Sequence, residues 1–130
     1  MNYLFFDCET GGTDEHRHSL LTAYFVVYSP EWEKLGDIEL FLKPDSGEIV
    51  AEDKALEVTG IDLKEHLKDP RTVTYSEGAK QLLDFLQQYK IPKKRRHFRP
   101  CGQNVGFDIR FVNAQLVEKD EWDKLVHYRA

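Results

Sequence analysis

The chain has 130 residues, 41% of them hydrophobic and 32% charged, with two cysteines and a net charge of −5. That size suits one domain around a single core, and the composition is that of a soluble globular protein rather than a disordered one. A net negative charge argues against bulk electrostatic capture of nucleic acid, no apolar run approaches a membrane span, and no signal peptide is expected, since the sequence enters its first strand without a basic region before an apolar one.

A cytoplasmic protein is therefore expected, with Cys8 and Cys101 packed as small apolar residues in a reducing compartment. The charge is uneven along the chain. Residues 1–92 carry nine basic and eighteen acidic side chains (−9), whereas 93–130 carry nine and five (+4).

The first stretch, Tyr3 to Gly12, begins as an aromatic-rich apolar run and ends in two glycines. It reads as a buried strand entering a turn. Thr13 to Ser19 is polar and reads as a surface loop that includes His16 and His18. Leu20 to Tyr28 is apolar and rich in aromatic and β-branched residues, a second strand broken by Ser29-Pro30. Leu35 to Lys43 alternates and reads as a third strand, antiparallel to the second through a short hairpin.

Glu52 to Val58 is a short helix, with Gly60 where a helix C-terminus favours positive φ. Ile61 to Pro70 is a connection with about one helical turn around Leu63 and Leu67. Thr74-Tyr75-Ser76-Glu77 matches a capping box, and Ala79, Leu82, Leu83 and Leu86 then fall at helical spacing up to about Tyr89. Ile91-Pro92 ends that helix. Lys93-Lys94-Arg95-Arg96 is a basic stretch that suits either a solvated loop or contacts to nucleic-acid phosphates. Phe98 to Gly102 is a fourth strand. From Phe107 the apolar positions Phe107, Phe111, Ala114 and Leu116 trace one helix face, and Trp122, Leu125 and Val126 are spaced helically beyond it.

Two stretches carry chemistry. Alternation along the first strand puts Asp7 and Glu9 on one face with Tyr3 and Phe5, and Leu4, Phe6 and Cys8 on the other. Taken alone, the acid pair reads as a strand end reaching solvent. The alternative is a cation that relieves the repulsion between the two carboxylates, and hard oxygens suit Mg²⁺ or Mn²⁺. The second stretch, Cys101 to Phe111, runs from strand through a glycine turn into a helix, with Asp108 at the helix N-terminus.

Asp7-Cys8-Glu9-Thr10-Gly11-Gly12 followed by Asn104-Val105-Gly106-Phe107-Asp108 resembles the DEDD (DnaQ-like) family of 3′–5′ exonucleases. That family includes the proofreading subunit of bacterial replicative polymerase and ribonuclease T. Between the motifs, Ala55 to Ile61 resembles the family's segment lining the terminal nucleotide.

The resemblance implies an α/β, ribonuclease-H-like mixed sheet flanked by helices, with strand order 3-2-1-4. It implies a two-metal Mg²⁺ or Mn²⁺ site on Asp7, Glu9 and Asp108, with Asp7 bridging. Thr10 and Gly11 would hold the 3′-terminal sugar and Val58 and Thr59 would press on the base. Asn104 and Phe107 would lie beside the site, although capping the helix suits Asn104 equally and a core position suits Phe107. The activity implied is release of mononucleotides from DNA or RNA 3′ ends.

The family's third motif, H-x-x-x-x-D or Y-x-x-x-D, is not found. His127 has no Asp after it, Tyr128 does not satisfy the second form, and Asp120 and Asp123 come too soon. The expectation is a single domain over 1–130 that is C-terminally incomplete and impaired in activity. The alternative is an inactive nucleic-acid-binding or protein-interaction module of the same fold. Apolar surface on the fourth strand and following helix would then need a cover, either a second copy of the chain or Trp122 and its neighbours folding back.

Overall fold

A computed structural model describes residues 1–92 and 96–127. Ten elements follow one another: β1 (Asn2–Thr10), β2 (Leu20–Tyr28), β3 (Lys34–Lys43), α1 (Asp53–Thr59), α2 (Leu63–Lys68), β4 (Thr72–Thr74), α3 (Tyr75–Gln87), β5 (Phe98–Cys101), α4 (Val105–Gln115) and α5 (Lys119–Leu125). The strands form one mixed sheet in the order β4-β3-β2-β1-β5. β1 pairs antiparallel with β2 and parallel with β5, which places it inside the sheet.

The expected order of the four long-range strands holds, and β4 is an additional edge strand. Thr72–Thr74 pairs in parallel with Phe41–Lys43. Three residues are too few for an alternating pattern to register, and Thr74 also caps α3. Its hydroxyl accepts from the Glu77 amide at 3.3 Å, while the Glu77 carboxylate accepts from Gln81.

Alternation divides the sheet into two faces. Leu4, Phe6, Ala23, Phe25, Val27, Leu40 and Leu42 form the buried face, packed against Leu82, Phe85 and Leu86 of α3 and Phe111 and Val112 of α4. The opposite face carries the half-exposed Tyr3, Phe5, Tyr24, Val26 and Tyr28, with Trp32 stacked on Tyr3 at 4.4 Å between ring centroids. Trp32 has φ 66° in the β2–β3 turn.

Beyond α4 the chain folds back over the core. Trp122 meets Phe6 edge-on at 5.6 Å, and Leu125 and Val126 are buried in the same cluster. Val126 bridges Phe98 in parallel, the Leu125 carbonyl accepts from the His97 amide (2.8 Å), and the His127 amide donates to the Phe98 carbonyl (2.7 Å). The apolar edge beside β5 is thus covered by the chain's own residues. Among the described residues, no helix is long and apolar enough to cross a membrane.

Candidate active site

The candidate site lies where β1 outruns its parallel neighbour. β5 pairs with β1 only from Asn2 to Phe5. Beyond that point the β5 side of β1 has no ladder partner among the described residues, and the Cys8 amide donates to the Asp108 carboxylate at 3.2 Å. Clefts at the carboxyl ends of strands, where neighbouring connections diverge, are the usual ligand sites of such sheets. Gly102 allows the sharp exit from β5, because a Cβ there would lie 2.9 Å from the Phe6 carbonyl oxygen. α4 then starts beside the end of β1, with Asp108 in its first turn.

Asp7 is exposed and Glu9 half-buried on the same face of β1, while Asp108 is 3% exposed. Burial and then the charge of Asp7 push the Glu9 carboxyl up. Asp108 is pushed up to about 6, first by burial and then by Asp7, with a smaller contribution from Glu9, against the opposing hydrogen bonds from Cys8. The Cys8 thiol between them is pushed well up, chiefly by burial and then by Asp108. Asp7 thus raises both neighbouring carboxyls, and Glu9 adds to the shift of Asp108; like-charge repulsion of this kind is what a bound cation relieves.

The donor set consists of hard oxygens and fits a divalent ion such as Mg²⁺ or Mn²⁺. Among the described residues, however, no group of three or more His, Cys, Asp or Glu side chains is arranged to hold a metal ion. The two observations are compatible for an ion that takes one or two carboxylates and completes its shell with water and substrate phosphate.

Beside Glu9 opens a cleft of about 410 Å³ lined by Glu9, Thr10, Gly12, Thr13, Glu52, Lys54, Ala55, Val58, Thr59 and Phe107. Its two walls are the turn after β1 and helix α1. Val58 is 81% exposed at the rim. Thr59 faces the same cleft. Thr10 is buried, and its hydroxyl donates to the Gly12 carbonyl, so its side chain is used within the turn. Gly11 is required by close approach, since a Cβ would lie 2.5 Å from the Val50 carbonyl oxygen. On the other side of the strand end, Asp7 lines a second recess with Phe5, Tyr24, Val26, Gly102 and Gln103.

Several expectations need correction. Asn104 stands at the N-cap of α4, but its side chain makes no capping bond; its carbonyl accepts from the Asp108 amide at 3.2 Å. Phe107 is neither pure core nor free. It lines the cleft and tilts against Phe111 at 4.9 Å. His18 is not a surface residue but 4% exposed; His16 is exposed as expected. Lys93, Lys94 and Arg95 lie outside the described residues, and Arg96 turns its Nε to the Asp123 carbonyl of α5 (2.9 Å).

One structural residue gave no sequence signal. Gln115, at the end of α4, accepts from the Leu20 amide and the Tyr75 hydroxyl and donates to the Glu15 and His18 carbonyls. It ties α4 to the loop after β1. Tyr75 keeps its proton for this bond, since burial pushes its phenol up to about 12.

No family model matches the chain. In sequence it is similar to an oligoribonuclease from Paracidovorax citrulli, 27% identical over 132 residues, which covers 99% of this chain and 65% of that protein. In fold it is similar to Exonuclease I from Methylocaldum szegediense, with a TM-score of 0.65 and 22% identity over 86% of this chain and 22% of the other. It is also similar to E. coli Exonuclease I in complex with a dA16 oligonucleotide, with a TM-score of 0.68 and 21% identity over 86% and 23%. The chain thus spans about two thirds of the oligoribonuclease and under a quarter of the exonuclease chains. The oligoribonuclease in sequence and Exonuclease I in fold carry the resemblance of this chain to the DEDD 3′–5′ exonucleases.

Proposed function

We propose that this chain is the nuclease-type domain of a divalent-metal-dependent 3′–5′ exonuclease that takes DNA or RNA 3′ ends and releases mononucleotides in the cytoplasm. The observation that carries the reading is the Asp108 carboxylate accepting from the Cys8 amide, which lies between Asp7 and Glu9 on β1, beside a cleft of about 410 Å³ that Glu9 lines. The names of the similar proteins agree with it in reaction class, and the E. coli enzyme is described with single-stranded DNA and with a zinc ion.

Asp7 and Glu9 would hold the ion nearest the strand end, with Asp108 beside them, approaching directly or through water. A divalent ion supplies charge neutralisation at the phosphate and lowers the pKa of a bound water. The chain's own groups do the rest of the binding. The backbone of Thr10 and Gly11 would meet the terminal sugar, Val58 and Thr59 offer a surface for the base, and Phe107 lines the same cleft. Acids at the strand end keep the site from retaining phosphate unless cations are present.

That no three-ligand cluster occurs among the described residues favours a second reading, an inactive nucleic-acid-binding or protein-interaction module of the same fold. A 3′-end-labelled oligonucleotide with Mn²⁺ separates the two. Release of labelled mononucleotide by the chain, lost in Asp7→Ala, is expected. Equal inactivity of both proteins with retained binding selects the binding module, and absence of both activity and binding rejects both nucleic-acid readings.

A further inference from the structure

We propose that His18 is a positioning residue that joins the two walls of the cleft and so sets its width for the terminal nucleotide; this rests on the reading of the cleft given above. His18 lies in an otherwise exposed segment, after His16 and Arg17, yet is 4% exposed. Its ring rests on Gly12, where a Cβ would lie 2.4 Å from the His18 Cγ and Nδ1. Gly12 therefore serves the imidazole as much as the turn.

The two ring nitrogens have different partners. Nδ1 accepts from the Asp14 amide at 3.1 Å, which leaves Nε2 as the nitrogen that carries the proton in the neutral ring. Nε2 lies 3.0 Å from Glu52 Oε1, close enough for an ion pair but outside hydrogen-bond geometry, so this buried nitrogen has no hydrogen-bond partner among the described residues. Glu52 immediately precedes α1 and lines the same cleft as Gly12 and Thr13. The His18 carbonyl accepts from Gln115 Nε2 at 2.7 Å, at the end of the helix that carries Phe107 and Asp108. One residue thus touches the turn, the α1 wall and α4. Backbone bonds run alongside it, from the Gly11 amide to the Ser19 carbonyl (2.8 Å) and from the Glu52 amide to the Gly11 carbonyl (2.7 Å). They hold the chain path, whereas the His18–Glu52 contact holds the side chains of the two walls.

The test is a double-mutant cycle on binding of a nucleoside 5′-monophosphate, followed by amide NMR shifts at Gly11, Gly12 and Thr59. His18→Asn keeps an acceptor for the Asp14 amide but cannot reach Glu52. Glu52→Ala removes an exposed partner from the other side, and Glu52→Gln keeps an acceptor there. Each of His18→Asn and Glu52→Ala is expected to weaken binding about three- to tenfold. The double variant is expected to be no weaker than the worse single one, and Glu52→Gln to stay within about twofold of the parent.

Amide exchange supplies a readout independent of ligand. Protection of the Glu52 amide is expected to fall in His18→Asn while that of Phe6 and Phe25 in the sheet stays unchanged. Unchanged Glu52 protection overturns the proposal, as does lost protection with unaltered nucleotide affinity, which would make His18 a purely structural residue. Additive losses in the cycle overturn it too, because Glu52 would then act on the nucleotide directly. If the unaltered chain shows no nucleotide shifts in the cleft, the cleft's assignment falls, and the inference falls with it.

Discussion

Asp108 carries its charge at a cost. Its carboxyl is raised from 3.8 to about 6 by burial and by Asp7, so the folded chain holds that proton more tightly than the unfolded chain does. Stability from this group is present below about pH 4 and is lost as pH rises through about 6. The whole shift corresponds to at most about 3 kcal/mol, and the open strand end beside it makes that an upper limit. In metal-free buffer, Asp108→Asn keeps an oxygen for the Cys8 amide and removes the charge. It is expected to raise stability at pH 8 by about 1–3 kcal/mol and to flatten the decline between pH 4 and 6, as read from urea midpoints across that range. A variant that is less stable at pH 8 would mean that Asp108 is not a strained carboxylate.

Gly11 tests the turn on the same scale. Alanine there meets the Val50 carbonyl at 2.5 Å and the Ala51 Cα at 2.7 Å, both backbone atoms that cannot swing aside. A loss of about 1–3 kcal/mol is expected from such overpacking, measured by chemical denaturation, with nucleotide binding weakened as the turn is displaced.

At the scale of elements, α5 acts as the lid on the core. Trp122 lies against Phe6 and is almost fully buried. Trp122→Ala is expected to cost about 3–5 kcal/mol, and thermal unfolding would show the loss directly. Gln115→Ala is the polar counterpart. It leaves the Leu20 amide and two carbonyls without their partner, a loss of about 1–3 kcal/mol.

These elements also show what the sequence could reveal. Strands β1, β2 and β3 were legible because alternation and β-branched runs report burial of one face. The acid pair alone reads as a strand end reaching solvent, and only its order with Asn104 to Asp108 marks it as a candidate site. β4 was not, because three residues carry no period and its last residue already signals a helix start. His18 and Gln115 were illegible for a different reason. The burial of His18 depends on partners 34 residues away at Glu52 and 97 away at Gln115, and neither a polar residue in a polar loop nor a glutamine at a helix end gives a local sign of such a tie. Helix α4 begins at Val105 rather than Phe107, since the N-cap is formed by the backbone of Asn104 without its side chain.

At the scale of the whole molecule, the central claim is that Asp7, Glu9 and Asp108 form one cation-dependent site for a nucleic-acid 3′ end. Asp7 contributes to the raised carboxyls of both Glu9 and Asp108; among the described residues no three-ligand cluster surrounds them, so in this proposal a substrate phosphate would complete the shell. The most direct measurement is paramagnetic broadening of backbone amides by Mn²⁺, with and without a short single-stranded oligonucleotide. Broadening is expected to centre on residues 7–11 and 106–108, to strengthen when the oligonucleotide is added, and to vanish in Asp7→Ala. Broadening that centres instead on other acidic surfaces such as α5, or that is the same in Asp7→Ala, would contradict the account.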